Sequence, residues 1–245
     1  MPSGRPRVLG VFAHPDDAEL TCFGTLASVS AAGADVSLLF LSMGERSRSE
    51  SAAERASEAH RAAAVINATL GVEHLRDGAV PMTHETFSLI EDYIDRIDPL
   101  VILTHFDRSG PEDHQDHQAV GRIVTNLALR YSNAAFVLQI EPPVAGSGFI
   151  PNTFVDITRF IDQKLAAVAC YASESEKSFM STESVRARGN WWARQAEPGH
   201  ADPSVYYEAF VMVRTRIARL ELAALLAGVG GHRSDRRQSD ELRKY

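Results

Sequence analysis

The sequence predicts an α/β fold built on one mostly parallel sheet with helices on both of its faces. Short apolar runs alternate with longer amphipathic stretches through the first half of the chain, which is typical of repeated strand–helix units. Because crossovers between parallel strands are right-handed, successive helices are expected on both faces. The chain has 245 residues and 44% hydrophobic content, which is enough to bury one substantial core.

The first half contains four predicted strands and three predicted helices. The strands cover residues 8–12, 36–41, 72–75 and 100–104. The helices cover residues 18–33, 50–68 and 84–97. Three residues that commonly follow the end of a helix support these limits, namely Gly33, Gly71 and Pro99.

The second half continues with a predicted helix over residues 116–131. Two strands are expected next, over residues 135–139 and 153–156, with a loop between them. The remaining elements are helices over residues 158–171 and 181–195, a strand over 207–214 and a last helix over 215–227. Residues 228–245 are glycine-rich and charged and are expected to form a disordered tail, so residues 1–227 are interpreted as a single domain.

Composition and charge argue against several classes of protein. The formal net charge is −7, whereas a nucleic-acid-binding protein normally carries a basic face. Residues 1–7 are too few and too polar for a secretory signal, and no apolar run approaches the ~20 residues that span a bilayer. A cytoplasmic protein is therefore expected. Its two cysteines, Cys22 and Cys170, are far apart in sequence and are interpreted as reduced thiols.

Two clusters of metal-binding residue types follow predicted strands. The first comes directly after the strand at residues 8–12 and contains His14, Asp16, Asp17 and Glu19. The second comes after the strand at residues 100–104 and contains His114, Asp116 and His117. The ligand site of an open α/β sheet lies beyond the carboxyl ends of its strands. The two clusters are therefore expected to build one site, and Glu45 and Asp77 follow other strands at the same edge.

Imidazole nitrogen and carboxylate oxygen are ligands that zinc accepts, and a catalytic zinc typically has three protein ligands. His14, Asp17 and His117 would supply two nitrogens and one oxygen to one zinc ion per chain. The side chains of adjacent residues diverge, so Asp16 is predicted to face the attacking water as general base while Asp17 binds the metal. A helix cap is the alternative role for this aspartate pair.

The remaining residues of the second cluster have separate expected roles. His114 and His117 are three positions apart at the start of a helix, so both can face the site. One of them would bind the metal while the other, as an imidazolium, stabilises an oxyanion or protonates the leaving group. Asp116 would orient an imidazole. His105 ends the fourth strand, and both a place in the site and a structural role stay open for it.

These residues resemble the signatures of a known family, the LmbE-like or PIG-L type zinc-dependent N-deacetylases. The segment from His14 to Glu19 is similar to the AHPDDxE signature, and the segment from His114 to Gly121 resembles HxDHxxxG. The resemblance implies a Rossmann-like fold and hydrolysis of an N-acyl group, usually the acetamide of an N-acetylglucosamine unit. Free amine and acetate would be the products.

Carried over by position, the resemblance implies roles for individual residues. Zinc would be bound by His14, Asp17 and His117. Asp16 would be the base, and His114 would stabilise the tetrahedral intermediate. Looser matches imply sugar contacts from Arg55, Glu45 and Asp77. The implied partner is a small N-acyl amino sugar or glycoconjugate, and a homo-oligomer is expected because relatives often form one.

One departure from the family leaves the substrate open. The frequent His-x-Ser-Gln segment of the family reads Tyr171-Ala172-Ser173-Glu174 here, where a contact to the acceptor group is expected. Alternative functions are a metal-dependent amidase of a thiol conjugate or another non-sugar N-acyl compound, and a phosphoester hydrolase, which would commonly use two metals. A catalytically silent relative that binds a sugar or a partner protein is the third alternative.

Overall fold

A seven-stranded sheet organises the described part of the chain. The computed structural model describes residues 4–46, 52–143, 148–199 and 202–216. Its strands are β1 (Arg7–Phe12), β2 (Asp35–Phe40), β3 (Thr69–Val72), β4 (Val101–His105), β5 (Phe136–Ile140), β6 (Thr153–Asp156) and β7 (Tyr207–Thr215). They are ordered β3-β2-β1-β4-β5-β7-β6 across the sheet. The pairs from β3 to β5 are parallel, whereas β6 and β7 are antiparallel.

Helices pack on both faces of this sheet, which confirms the predicted fold class. They are α1 (Asp17–Thr21), α2 (Phe23–Ala31), α3 (Ala52–Ala64), α4 (His84–Ile97), α5 (Gln115–Tyr131), α6 (Ile161–Val168) and α7 (Thr182–Ala196). Short 3₁₀ turns cover Thr158–Phe160, Ala172–Glu174 and Ser178–Met180. In β1, Val8 and Phe12 join one buried apolar cluster while Leu9 and Val11 join the other. This alternation follows from the two-residue period of a strand.

The order of the strands creates a switch point between β1 and β4. From β1 the chain builds β2 and β3 on one side, then returns to place β4 and β5 on the other side of β1. Val11 of β1 lies opposite Thr104 of β4, so the carboxyl ends of the two strands are level. Loops that leave these ends diverge and open a crevice, which is where open α/β sheets bind ligands.

The structure differs from the prediction at several element boundaries. The predicted helix over residues 18–33 is two helices, because the backbone breaks at Cys22 (φ −138°, ψ 10°). Strand β3 begins at Thr69 and includes Gly71, where a Cβ atom would lie 2.9 Å from the Tyr93 hydroxyl. Gly71 therefore leaves room for a neighbouring ring instead of ending a helix.

The structure describes only part of the predicted C-terminal elements. Strand β7 continues to Thr215, the first position of the predicted last helix. Arg216 has no regular secondary structure, and residues 217–227 of that predicted helix and the tail at 228–245 lie outside the described residues. Among the helices that are described, none has both the length and the apolar character needed to cross a bilayer.

A buried ion pair explains why the chain breaks between α1 and α2. The Glu208 carboxylate accepts hydrogen bonds from the backbone N–H groups of Gly24 (2.9 Å) and Thr25 (2.7 Å), in the first turn of α2. Lys164 Nζ also contacts this carboxylate, at 2.5 Å, and both side chains of the pair are buried. Glu208 thus caps α2 and neutralises a buried ammonium group, and it links β7 to the first helices.

Removing Glu208 should therefore destabilise the protein strongly. Glu208→Ala leaves the Lys164 ammonium buried and unpaired, so the free energy of unfolding in urea should fall by about 3–5 kcal/mol. The matched control is Asp35→Asn, which removes the exposed ion pair with Arg5 (3.5 Å) and should cost no more than about 1 kcal/mol. Equal losses in the two variants would contradict this assignment.

Candidate active site

Both predicted clusters lie at the switch point between β1 and β4. The first cluster forms the turn from β1 into α1, which begins at Asp17. The second forms the start of α5, whose N-cap residue is His114. A cavity of about 1050 Å³ opens beside them, and the residues of the two clusters that line it are His14, Asp16, Asp17, His114 and His117.

Asp17 lies between the two histidines that were predicted to share a metal with it. Its Oδ1 atom is 3.2 Å from Nε2 of His117, and its Oδ2 atom is 3.7 Å from Nδ1 of His14. The backbone N–H of His14 also donates to Oδ2, at 2.8 Å, which fixes the carboxylate in the turn. The structure therefore places both predicted histidine ligands next to Asp17.

Outer carboxylates determine which imidazole nitrogen faces Asp17. Nδ1 of His117 lies 2.8 Å from Oδ1 of Asp113, leaving Nε2 toward Asp17. Nε2 of His14 lies 3.1 Å from Asp77 and 3.3 Å from Asp116, leaving Nδ1 toward Asp17. A carboxylate that accepts one ring N–H holds the other nitrogen free to bind a metal. Asp113 was missed by the sequence analysis, although it immediately precedes the second cluster.

Two histidines of the site, His14 and His117, have raised pKa values. Burial lowers the pKa of His14, but hydrogen bonds to Asp116 and Asp77 outweigh this effect and raise the pKa to about 9. For His117, burial again opposes the shift, and the nearby carboxylates of Asp17 and Asp113 raise the pKa to about 10. The carboxylates around these rings therefore favour a cation in the site.

The neighbouring histidines in turn lower the pKa values of two carboxylates of the site. Burial would raise the pKa of Asp17, but His117 and His105 hold it well below its usual range. The hydrogen bond from His14 lowers the pKa of Asp77 to about 2 even though burial opposes this shift. Both groups are therefore ionised at neutral pH, next to imidazoles.

This arrangement fits a divalent metal ion such as zinc. Nitrogen atoms of His14, His114 and His117 lie within 4.8 Å of one another, as do ligand atoms of Asp17, His105 and His117. The donors are imidazole nitrogens and carboxylate oxygens, which zinc accepts. The raised pKa values mean that His14 and His117 bind protons tightly. A bound dication would take the place of these protons.

Asp16 lies in a strained turn, next to Asp17 in the sequence. Its φ is +105°, in the left-handed region that a non-glycine residue rarely adopts. Arg55 stabilises this turn, since its Nη2 donates to the Pro15 carbonyl and to Oδ2 of Asp16, both at 3.0 Å. Burial raises the pKa of Asp16 to about 6, against the opposing charge of Arg55. Strained residues of this kind cluster at functional sites.

His114 presents a hydrogen-bond donor to the cavity. Its Nδ1 atom accepts from the backbone N–H of Asp116 (3.2 Å), so the neutral ring carries its proton on Nε2. Burial and the neighbouring rings of His14 and His117 lower its pKa. The imidazolium form that the sequence analysis assumed is thus disfavoured here, while the neutral form can still donate a hydrogen bond.

The predicted substrate-binding residues lie at different depths. Arg55 and Asp77 line the cavity. Glu45 is not among the described residues that line it; instead its Oε1 accepts from the backbone N–H of Asp77, at 2.8 Å. Arg46 donates its backbone N–H to Oδ2 of Asp77, at 2.9 Å. Glu45 therefore supports Asp77 from outside the cavity.

Asp116 also lies outside the described cavity lining, and it joins two loops. Its Oδ2 accepts from the N–H of Gly78 (2.7 Å), and its Oδ1 accepts from the N–H of Val80 (2.9 Å). Together with its contact to His14, these bonds fix the loop that carries Asp77. Asp116 therefore contacts an imidazole, as expected, and it also holds this loop in place.

His105 lies behind the site. Its Nε2 accepts from the backbone N–H of Ala13, at 3.0 Å, and its ring stacks on His117 with centroids 4.3 Å apart. Burial and the charge of His117 lower its pKa to about 4, so the ring is neutral. His105 thus packs behind His117, with its Nε2 3.3 Å from Oδ2 of Asp17, and it is not among the described residues that line the cavity.

Two similarities establish the family of the chain. A family model described as "PIG-L: GlcNAc-PI de-N-acetylase" matches residues 9–128, which contain both clusters. The diacetylchitobiose deacetylase of Thermococcus kodakarensis is 30% identical over 190 residues, covering 69% of this chain and 70% of the relative. The chain belongs to the PIG-L family of deacetylases. Membership of this family identifies it as an enzyme of the hydrolase class.

Solved structures with the fold of this PIG-L family member are named for different reactions. GalB, the 4-carboxy-2-hydroxymuconate hydratase of Pseudomonas putida, matches with a TM-score of 0.75 at 24% identity, covering 87% of this chain and 98% of that chain. The N,N'-diacetylchitobiose deacetylase of Pyrococcus horikoshii matches with a TM-score of 0.70 at 21% identity, covering 84% and 83%. The fold alone therefore does not decide the reaction.

Asp113 should control the affinity of the site for metal. Asp113→Ala removes the acceptor for Nδ1–H of His117 and should weaken zinc binding by about 10–100-fold, measured by competition with a chelator of known affinity. Glu112→Ala is the control, because Glu112 is exposed and adjacent in sequence. Unchanged zinc affinity in Asp113→Ala would show that the ring of His117 needs no such support.

Proposed function

We propose that the chain is a zinc-dependent N-deacetylase that removes the acetyl group from an N-acetylated amino sugar or sugar conjugate. The observation that carries this proposal is the position of Asp17 between His14 and His117, with Asp16 lining the same cavity. The name of the Thermococcus relative, a diacetylchitobiose deacetylase, supports an amino-sugar substrate. Free amine and acetate are the products.

His14, Asp17 and His117 would hold one zinc ion. When bound there, zinc would polarise the amide carbonyl and lower the pKa of a water from 15.7 toward ~7. Asp113 and Asp77 accept the outer N–H groups of His117 and His14 and so keep both rings in the binding orientation. A zinc ion held by three protein ligands would be able to take up water or substrate as well.

Asp16 acts as the general base in this proposal. Its carboxylate, oriented by Arg55, takes a proton from the attacking water as the oxygen–carbon bond to the acyl group forms. The same proton then passes to the amine nitrogen as the carbon–nitrogen bond breaks. One water is consumed, and the acyl group leaves as the carboxylic acid, which ionises to acetate.

His114 stabilises the negative charge that develops on the acyl oxygen. The hydrogen bond from Asp116 N–H to Nδ1 places the proton of the neutral ring on Nε2. A donor positioned before the reaction is worth more in a partly buried site than in water. Asp77 and Arg55, which line the cavity, are proposed to contact the sugar, with Glu45 acting through Asp77.

The variant Asp16→Asn tests whether Asp16 is the base and not a ligand of the metal. Turnover should fall by about 10²–10⁴-fold while zinc stays bound, because the substitution removes proton transfer and keeps the shape of the side chain. Released amine is assayed with an amine-reactive fluorophore, and zinc content is measured by mass spectrometry. His117→Ala is the comparison and should lose zinc. Loss of zinc in Asp16→Asn instead would exchange the roles of Asp16 and Asp17.

Metal removal distinguishes the proposed function from its rivals. Dialysis against a chelator should abolish release of amine from N-acetylglucosamine and its conjugates, and one zinc per chain should restore it. A thiol conjugate and a phosphoester are assayed in parallel. Two metals per chain with phosphate release would favour a phosphoesterase. Amine release from the thiol conjugate alone would favour the other amidase, and metal-loaded protein with no turnover would favour a silent relative.

A further inference from the structure

A buried carboxylate on the cavity wall, that of Glu174, has no part in the proposed reaction. Residues 172–180 form the outer wall of the cavity, and Glu174 belongs to the lining although only 1% of it is exposed. Its two oxygens are divided between two cations, since Oε1 pairs with Arg55 and Oε2 pairs with Lys177. A buried carboxylate is costly unless cations neutralise it, so these ion pairs hold Glu174 in place.

Helix α3 fixes this wall through two residues on one face. Arg55 and Glu58 are three positions apart, so their side chains can point the same way. Glu58 accepts from the backbone N–H (2.9 Å) and from Oγ (2.5 Å) of Ser173. Arg55 pairs with Glu174, the next residue along the wall. Several contacts between the helix and the wall therefore determine where Glu174 lies relative to Arg55.

The guanidinium group of Arg55 lies between two carboxylates. Its Nη2 atom donates to Oδ2 of Asp16 and to the Pro15 carbonyl, both at 3.0 Å, while its Nη1 atom faces Glu174. Its Cζ atom lies over the Tyr171 ring, 5.6 Å from the centroid. A guanidinium is planar, so a partner at one terminal nitrogen fixes the direction of the other. Glu174 thus determines how Arg55 meets Asp16.

Asp16 is sensitive to the position of this arginine. The residue is 7% exposed, and its backbone is in the left-handed region at φ +105°. Such a conformation persists only where surrounding contacts fix it. Arg55 supplies two of these contacts, one to the carbonyl of Pro15 and one to the side chain of Asp16. A displacement of about 1 Å at a reacting centre can lower the rate ~10²-fold, so the position of a general base is critical.

Given the proposed function, we propose that Glu174 is a positioning residue that acts on the general base through Arg55. The ion pair between Glu174 and Arg55 holds the guanidinium group in one orientation. The guanidinium group in turn holds the Asp16 carboxylate where it takes a proton from the attacking water. Glu174 itself touches neither the water nor the acyl group. The outer wall of the cavity therefore contributes to the rate of the reaction.

A double-mutant cycle tests this assignment. Glu174→Ala should lower kcat for amine release from the methyl β-glycoside of N-acetylglucosamine about 10–100-fold, because Arg55 no longer holds Asp16 in place. KM should change by less than about twofold, since the lost interaction acts in the transition state, and zinc should stay bound. In the Arg55→Ala background, Glu174→Ala should lower kcat by less than about twofold, because the two residues act as one unit.

Two further variants separate the position of Arg55 from charge and from general damage to the wall. Glu174→Gln keeps an oxygen that can accept from Arg55, so it should keep most of kcat. Glu176→Ala is the matched control, because Glu176 is an exposed carboxylate of the same cavity wall, and its kcat should be unchanged. Should circular dichroism show that Glu174→Ala is unfolded, Glu174→Met replaces it, since methionine fills the space without a carboxylate.

Four results would overturn the assignment. They are falls in kcat that multiply in the double variant, a change confined to KM, loss of zinc in Glu174→Ala, and a fall in Glu174→Gln as large as that in Glu174→Ala. An equal fall in the control Glu176→Ala would have the same consequence, because it would assign the effect to the charge of the wall.

Crystal structures of the zinc-loaded variants separate this inference from the proposed function. In Glu174→Ala, the contact between Arg55 and Asp16 should be lost and the Asp16 carboxylate should move by about 1 Å, whereas Glu174→Gln should keep both in place. That movement, in a protein without turnover on any N-acetylated sugar, would refute the deacetylase proposal and keep the control of Asp16 by Glu174. An unmoved Asp16 would overturn the positioning role, whatever the activity.

Discussion

The contact of one buried carboxylate, that of Asp17, with three imidazoles is the constraint on which the rest of the site depends. Asp17 ends the turn after β1, and His117 belongs to the first turn of α5 after β4, so their 3.2 Å contact joins the two sides of the switch point. Buried carboxylates are costly unless cations neutralise them. A site for positive charge therefore lies between the turn after β1, the start of α5 and the loop carrying Asp77.

Surrounding carboxylates and one arginine orient the side chains of the site. Asp113 and Asp116 fix the rings of His117 and His14, and Arg55 holds Asp16 in a left-handed backbone conformation. Arg55 also pairs with Glu174, so the segment that forms the outer cavity wall is linked to the proposed base. A change in that wall can therefore alter the geometry of the reaction as well as the fit of the substrate.

The parts of the fold and site that the sequence predicted depend on local pattern. The alternation of strands and helices predicted the parallel sheet, and both clusters follow strands whose carboxyl ends must meet. Prediction failed where the deciding partner is distant in sequence. The helix over residues 18–33 is divided because α2 is capped by Glu208, 184 positions beyond Gly24. His105 could not be assigned because its roles come from a stack on His117 and a bond from Ala13.

The sequence by itself determined the class of the fold and the two clusters of metal-binding residue types, because these follow from residue type and from the periods of strands and helices. Only the tertiary structure decided which nitrogen of each histidine faces Asp17, that Glu45 and Asp116 act from outside the cavity lining, and that Glu174 pairs with Arg55. The physical reason is that hydrogen bonds and burial depend on positions in space, and segments far apart in sequence set those positions.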